Sequence, residues 1–122
     1  MTRLVSVYAT FADEEEARRI GRTVVEERLA ACVNILGPCH SIYRWQGSIE
    51  EAAEVAAIFK TGNLVAERLV TRITELHSYD VPAIAVWPVG AAHPAYARMG
   101  VRADGQRRLR YYFTTRQTRA FA

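Results

Sequence analysis

The hydrophobic and polar positions of this 122-residue chain predict one long β-hairpin near its middle. An apolar run at residues 30–35, with one thiol and one amide in it, leads into an alternation of Ile42, Arg44 and Gln46 with Tyr43 and Trp45. Runs that are rich in β-branched and aromatic residues and bounded by turn signals are typical of strands. Gln46 and Gly47 supply a reversal, and residues 48–61 form a second stretch of similar length. We therefore expect an antiparallel hairpin whose tip is this turn.

Each strand of this hairpin contains one signal that conflicts with a regular strand. Residues 50–60 contain strong helix formers throughout, so propensity alone favours a helix there. Sheet context overrides such a weak preference, and we predict a strand. In the first strand, the proline of Gly37-Pro38 has no N–H to donate to the neighbouring strand, which predicts a bend, a bulge or an edge.

The predicted hairpin is longer than the globule that carries it. A chain of this size has a radius of gyration of roughly 14 Å and hence a diameter of about 35 Å. A strand of about 14 residues at ~3.3 Å per residue runs about 46 Å. Protruding strand edges carry unpaired backbone groups. We therefore expect neighbouring subunits to pair with them.

The segment before the hairpin predicts a strand and an amphipathic helix. Residues 4–9 form an apolar run that is typical of a buried strand, and Asp13 with Glu16 has the spacing of a capping box. The helix is predicted to end near Arg28. Its buried face is formed by apolar residues at helical spacing, namely Ala17, Ile20, Val24 and Val25.

The segment after the hairpin predicts a second helix, a strand and a short final helix. Asn63 is the expected N-cap, His77 the expected end, and residues 78–82 a loop because they precede or contain a proline. A short strand follows at residues 83–87, and a helix runs from Ala95 to Val101. The buried face of the second helix is predicted to contain Val65, Leu69, Ile73 and Leu76. This order predicts an α+β fold, the ferredoxin-like βαββαβ sandwich with a long protruding β-hairpin and a short C-terminal helix.

The net charge of +3 is concentrated at the C-terminus. Residues 102–122 contain six arginines and one acidic residue, which leaves residues 1–101 at −2. We therefore divide the chain into a domain at 1–101 and an arginine-rich extension at 102–122, for which disorder is the simplest interpretation. Residues 109–115 offer an alternative as an added edge strand. Arginines interleaved with aromatic residues also suit phosphates and bases, but nucleic acid is not the partner that we expect.

No apolar run approaches the length needed to span a membrane, and the N-terminus lacks the pattern of a signal peptide. Cys32 and Cys39 lie seven positions apart on the predicted strand, too far for a disulfide in extended chain. Free thiols fit a reducing compartment. We therefore expect a cytoplasmic protein with no membrane partner.

Four motifs resemble one known family. They are residues 26–35 (EERLAACVNI), 41–47 (SIYRWQG), Glu54-Val55 with Lys60-Thr61, and residues 77–82 (HSYDVP). In this order and at these intervals they closely resemble the CutA divalent-cation tolerance family over residues 4–99. The resemblance implies a ferredoxin-like subunit that forms a tight homotrimer through its long hairpins, similar in build to the PII signalling proteins. It also implies a role in tolerance of copper and other divalent metal ions.

The chain departs from the family pattern within the last of these motifs and directly after it. Ser78 occupies a position where proline is usual, and Ala83 one where glutamate is usual. The second departure removes a carboxylate from the region that the resemblance associates with the site.

Cys32 and His77 are the candidate metal ligands. A thiolate binds Cu(I) or Zn(II), and imidazole suits either ion. For Cys32 alone, a small buried hydrophobic residue is the simpler interpretation. Because the chain has no C-x-x-C or H-x-x-x-H spacing, a site for copper or another divalent metal would be assembled between subunits or from distant segments. No organic cofactor is expected.

Lys60 is the only lysine among 16 basic residues, which suggests a position where a compact ammonium is needed. Glu54 shares its strand face by the period of two, and the resemblance brings His77 and Tyr79 nearby. These groups are predicted to line a pocket for an anion or a carboxylate; a structural ion pair at the trimer interface is the alternative. Trp45 is a secondary candidate for stacking on a ligand, although a core or interface aromatic residue is the simpler interpretation.

The sequence contains no nucleophile elbow, no P-loop and no catalytic triad order. We therefore predict a protein that is not an enzyme and that binds divalent, copper-type metal ions in metal homeostasis. The alternative is a PII-like trimeric regulator that binds a small anionic ligand at its subunit clefts. A third hypothesis, an RNA-associated protein, depends on the arginine-rich extension alone.

Overall fold

Seven elements follow one another in the predicted order in a computed structural model that describes residues 2–102. They are β1 (Leu4–Phe11), α1 (Glu14–Glu26), β2 (Cys32–Trp45), β3 (Ser48–Gly62), α2 (Ala66–Leu76), β4 (Ile84–Pro88) and α3 (Pro94–Val101). The strands form one antiparallel sheet in the order β2-β3-β1-β4. This confirms the ferredoxin-like α+β arrangement. The interpretations of the C-terminal extension concern residues 103–122, which lie outside the described residues.

One face of the sheet carries the hydrophobic core, and α1 and α2 cover it. Val7, Phe11 and Phe59 point to this face and are fully buried, which is worth about 1.5–3 kcal/mol for each large side chain. Of the predicted helix faces, the fully buried members are Ala17, Ile20, Val24, Leu69 and Ile73. The remaining three predicted members, Val25, Val65 and Leu76, are half-buried at the edge of the core.

The two helices begin differently. Asp13 caps α1 by accepting a hydrogen bond from the Glu16 amide at 2.8 Å, as the capping-box spacing predicts. The prediction that Asn63 caps α2 is wrong, because the cap position is Val65 and no side chain bonds there. The Asn63 amide instead donates to the carbonyl of Arg3 at 2.8 Å, which continues the sheet one residue beyond β3.

The predicted hairpin is present, including the strand over the helix formers of residues 50–60. Gln46 and Gly47 form its tip with φ angles of 49° and 84°, so both residues adopt the left-handed conformation of a tight hairpin turn. The predicted irregularity at Gly37 is a β-bulge, since the β2–β3 pairing shifts by one residue between Ile35 and Gly37. Gly37 itself has a φ of 103°, which favours glycine.

The outer part of the hairpin, residues 39–45 and 48–54, extends beyond the rest of the sheet. We call this part the hairpin arm. The β1–β3 pairing ends at Phe11 and Val55, so the arm has only its own two strands within the described residues. Large apolar side chains on the arm are exposed, among them Ile42 at 66% and Ile49 at 60%. Pairing of these edges with neighbouring subunits stays a prediction.

Candidate functional site

A cleft of about 520 Å³ lies where the hairpin arm meets the loop between α2 and β4. Its lining residues are Thr10, Tyr43, Trp45, Glu50, Glu54, Tyr79, Asp80, Val81 and Ala83. The structure therefore brings together three of the side chains predicted from the sequence to bind a ligand, namely Trp45, Glu54 and Tyr79. The fourth, Lys60, does not line this cleft.

The strand register explains how the arm presents its part of the cleft. Glu50 and Glu54 lie four positions apart on β3 and share one face of the sheet, because side chains alternate along a strand. Tyr43 pairs directly with Glu50, and Cys39 pairs with Glu54. The arm thus directs two carboxylates and an aromatic side chain to the same side.

The charge of the cleft is negative. Glu50, Glu54 and Asp80 contribute carboxylates, and none of the lining residues is basic. A cleft lined by one sign of charge raises the local concentration of counter-ions. Glu50 and Asp80 were not singled out from the sequence; the four-residue spacing of Glu50 and Glu54 on one strand was the signal that could have indicated the first.

Glu54 is nearly buried, and its carboxylate accepts a hydrogen bond from the hydroxyl of Tyr79. Burial, this hydrogen bond and the charge of Glu54 together raise the pKa of Tyr79 to about 12. Burial also raises the pKa of Tyr8 on β1, with the charges of Cys39 and Glu54 as further causes. Both phenols are therefore protonated at neutral pH, and Tyr79 acts as the donor to Glu54.

His77 ends α2 and is held by both of its ring nitrogens. Nε2 lies 2.8 Å from the carbonyl oxygen of Thr10 and must donate to it, because a carbonyl only accepts. Nδ1 accepts from the Tyr79 amide at 3.0 Å. The ring also stacks on Phe11 with centroids 5.1 Å apart. A metal ion bound to His77 would have to displace one of these hydrogen bonds.

The two predicted metal ligands lie apart in the chain. Cys32 begins β2 and pairs with Lys60, and its Sγ lies 3.6 Å from the hydroxyl of Tyr96 on α3. Lys60 in turn pairs with Ser6 near the start of β1, whereas His77 contacts Thr10 near the end of that strand. Within residues 2–102, no three side chains of His, Cys, Asp or Glu converge closely enough to hold a metal ion. The structure therefore does not assemble Cys32 and His77 into one site within a single chain.

Lys60 and Glu54 share a strand face, as the sequence predicts, but not a pocket. Six residues of strand separate them, which corresponds to about 20 Å. Lys60 pairs with Ser6 in the middle of the sheet, whereas Glu54 lies just beyond the last residue pair of β1 and β3.

Residues 5–100 match the model of a protein family described as CutA1 divalent ion tolerance protein. The chain belongs to this family. It is 49% identical over 81 residues to the divalent-cation tolerance protein CutA of Pyrococcus horikoshii, a match that covers 66% of this chain and 78% of that protein. It is 40% identical over 85 residues to a CutA homolog of Danio rerio, covering 70% of this chain and 57% of that protein.

The fold is also that of the CutA family. The solved structure of the divalent cation tolerance protein from Thermus thermophilus is similar with a TM-score of 0.80 and 39% sequence identity, covering 84% of this chain and 99% of that one. No helix within residues 2–102 is long and apolar enough to cross a membrane. The family description relates these proteins to divalent ions.

Proposed function

We propose that this CutA-family chain binds divalent metal ions in the acidic cleft and takes part in metal tolerance without catalysing a reaction. One observation supports this proposal above the others: within residues 2–102, the cleft contains the carboxylates of Glu50, Glu54 and Asp80 and no basic side chain. Such a surface attracts cations and repels small anions. The PII-like alternative needs a positive charge in the cleft, and Lys60 lies elsewhere.

The donor atoms of the cleft favour hard metal ions. Carboxylate and hydroxyl oxygens suit Mg²⁺, Ca²⁺ and Mn²⁺, whereas Cu(I) prefers thiolate and imidazole. Because the carboxylates do not converge on one point within the described chain, a bound ion keeps part of its water shell or takes further donors from a neighbouring subunit. Both arrangements correspond to weak, exchangeable binding, with the metal ion as cargo.

Copper binding through Cys32 is a separate proposal with weaker support. Its thiol is half-buried and free, but His77 is distant from it and has both nitrogens engaged. Copper would therefore need donors from another subunit. The metal titration below includes Cu(II) and Cu(I) for this reason.

Assembly as a homotrimer through the hairpin arms is also part of the proposal. Two observations support assembly: the outer edges of the arm pair with no other strand of residues 2–102, and the arm exposes Ile42, Trp45 and Ile49. Three copies is the number that the resemblance to CutA and PII proteins implies. A cytoplasmic location is proposed as well, and the two free cysteines support it because free thiols persist in a reducing compartment.

The experiment that tests the proposed function is calorimetric titration of the reduced, metal-stripped protein with Mn²⁺, Zn²⁺, Cu(II) and, without oxygen, Cu(I). We expect saturable Mn²⁺ binding that Glu54→Gln and Asp80→Asn each weaken at least about tenfold, which corresponds to ~1.4 kcal/mol. Glu51→Gln is the matched control. Glu51 neighbours Glu50 on β3, points to the opposite face and contacts His40 at 2.7 Å instead of the cleft.

Each outcome separates the alternatives. Equal Mn²⁺ affinity in wild type, Glu54→Gln and Asp80→Asn would overturn the cleft as the site. Copper binding that is lost in Cys32→Ala but retained in Glu54→Gln would move the site to Cys32. Binding of phosphate or citrate that is lost in Lys60→Ala, with no metal binding, would favour the anion regulator.

A further inference from the structure

Glu16 is a buried carboxylate in the first turn of α1, and it bonds to the loop between α2 and β4. The residue is only 4% exposed. Its Oε1 accepts from the Ala12 amide at 3.0 Å, and its Oε2 accepts from the Ser78 amide at 2.8 Å. The Ser78 side chain also hydrogen-bonds to this carboxylate. A capping glutamate bonds to one backbone amide at the start of its helix, and here the Ala12 amide fills that role. The bonds to Ser78 therefore serve a different part of the molecule.

We propose that Glu16 is a positioning residue of the acidic cleft, which holds Tyr79 and Asp80 in place by fixing Ser78. This inference rests on the proposed function, because it concerns how the cation-binding cleft keeps its shape. Glu16 itself does not line the cleft. It acts from the helix-covered side of the molecule through one residue of the loop.

The loop depends on hydrogen bonds because little of it is buried. Ser78, Asp80 and Val81 are all exposed, so packing against the core does not fix their positions. After His77, the bonds from Ser78 to Glu16 are the first attachment of the loop to another element. Tyr79 follows directly.

A second attachment lies at the far end of the loop, where the carbonyl of Ala83 accepts from the Thr10 amide at 3.3 Å. Tyr79 and Asp80 lie between these two attachments. Loss of the bonds at Ser78 would leave the near end of the loop held through Tyr79, by its amide bond to His77, its ring contact with His77 and its hydroxyl bond to Glu54.

The chemistry of Glu16 suits this role better than that of a neutral residue. An ionised carboxylate accepts hydrogen bonds at both oxygens, and such charge-assisted bonds are roughly twice as strong as neutral ones. Glutamine has one acceptor oxygen and one donor NH₂. In Glu16→Gln the NH₂ group would face the N–H of either Ala12 or Ser78, and one of the two bonds would be lost.

Asp13 provides a control that separates positioning from helix capping. Asp13→Ala removes the bond from the Glu16 amide to the cap but leaves both oxygens of Glu16 in place. It should therefore lower stability without disturbing the loop. Glu15 is an exposed neighbour of Glu16, and Glu15→Gln makes the same chemical change there. This variant should alter neither the stability nor the loop.

The experiment compares Glu16→Gln, Ser78→Ala, Asp13→Ala and Glu15→Gln in the full-length, metal-stripped protein. Two quantities are measured: the hydrogen-exchange rate of the Tyr79 amide by NMR, and the affinity for Mn²⁺ by calorimetry. We expect Glu16→Gln to speed exchange at Tyr79 at least about tenfold relative to core amides of β3 and to weaken Mn²⁺ binding. Ser78→Ala should do both to a smaller extent, and the two control variants should do neither.

Exchange at Tyr79 that is equal in Glu16→Gln and Asp13→Ala would overturn the proposal and reduce Glu16 to a helix-capping residue. Faster exchange with unchanged Mn²⁺ affinity would also overturn it, because the loop would then move without consequence for the site. If the wild-type protein binds no Mn²⁺, the proposed function fails separately. The exchange rates then still decide whether Glu16 positions Tyr79.

Discussion

The hydroxyl of Tyr79 donates a hydrogen bond to the carboxylate of Glu54, and this bond joins the loop after α2 to the hairpin arm. Both residues also line the acidic cleft, so one contact contributes to the fold and to the candidate site. Glu54 lies on β3 and is nearly buried, whereas the loop is mostly exposed. The bond therefore connects a fixed side chain to a segment with few other contacts.

Replacing Tyr79 with phenylalanine should destabilise the protein by about 1 kcal/mol, because the nearly buried Glu54 loses a donor. Urea unfolding measures this change. Tyr43→Phe is the matched control, since Tyr43 lines the same cleft but is 40% exposed. A loss of equal size in both variants would contradict a special role for the Tyr79 bond.

The same variant should be visible in a tyrosine titration. The tyrosine with a pKa of about 12 should be absent from Tyr79→Phe when tyrosinate absorbance is followed with pH. In Glu54→Gln that pKa should fall toward the ordinary value of 10.0, because the negative charge beside the phenol is removed. An unchanged late-titrating tyrosine in Tyr79→Phe would show that another residue is responsible.

Acid should destabilise the protein partly through Glu16. Burial alone would raise the pKa of Glu16, but hydrogen bonds from Ser78 and from the Ala12 amide outweigh it and hold that pKa below 4.5. A carboxyl whose pKa is lower in the folded state stabilises the fold above the unfolded value. This stabilisation is lost as the pH falls from 4.5 through the folded value. Urea midpoints measured across this range should fall less steeply in Glu16→Gln than in wild type, and parallel curves would contradict the assignment.

Gly37→Ala should cost about 1–2 kcal/mol, because a φ of 103° is strained for any residue with a Cβ. Apart from Gly37 and its two chain neighbours, no atom of residues 2–102 lies within 4 Å of the added methyl group, so a clash does not contribute. Gly90→Ala is the control, because its site is equally open and its φ lies outside the left-handed range. Thermal unfolding of the two variants compares them directly. Equal stability would mean that the bulge relaxes at little cost.

Ile42→Glu with Ile49→Glu should prevent assembly without unfolding the subunit. Both side chains are exposed on the hairpin arm, at 66% and 60%, and a charge there opposes burial between copies. Light scattering should show three times the chain mass of 13.7 kDa for wild type and a single chain for the double variant. Leu64→Glu, at an 83% exposed position in the turn before α2, should leave the assembly intact. A wild-type monomer at micromolar concentration would contradict the trimer.

The sequence predicted the fold well because its signals were regular. The capping box at Asp13, the turn at Gly47 and the alternation at Tyr43 and Trp45 each specify local geometry. Asn63 misled the prediction of the second helix because it is a good cap by type. The backbone amide of Asn63 bonds to the carbonyl of Arg3, so this residue continues the sheet and does not start the helix. Local preference cannot reveal that competition.

The candidate site was only partly predictable for a related reason. Glu54, Tyr79 and Trp45 were identified, but Lys60 was grouped with them on the basis of a shared strand face. Sharing a face says nothing about distance along the strand, and the cleft is formed only at the end where the loop after α2 meets the arm. Asp80 lines the cleft because of the conformation of that loop. The residues before Pro82 do not specify this conformation.

The bulge at Leu36 decides which side chains face the cleft. Before it, Ile35 pairs with Ala57 on the core side; after it, Cys39 pairs with Glu54 and Tyr43 with Glu50 on the cleft side. An uninterrupted strand would reverse this parity and place Ile42 and Arg44 where Tyr43 and Trp45 now lie. The exchange requires the unchanged sequence to pair without the bulge, which would bring the guanidinium of Arg44 to the cleft side. Deletion of Leu36 itself would remove the bulge but keep Tyr43 opposite Glu50. The chemical character of the cleft therefore depends on the bulge. One unpaired residue in β2 determines whether this strand presents side chains that suit a cation or an anion.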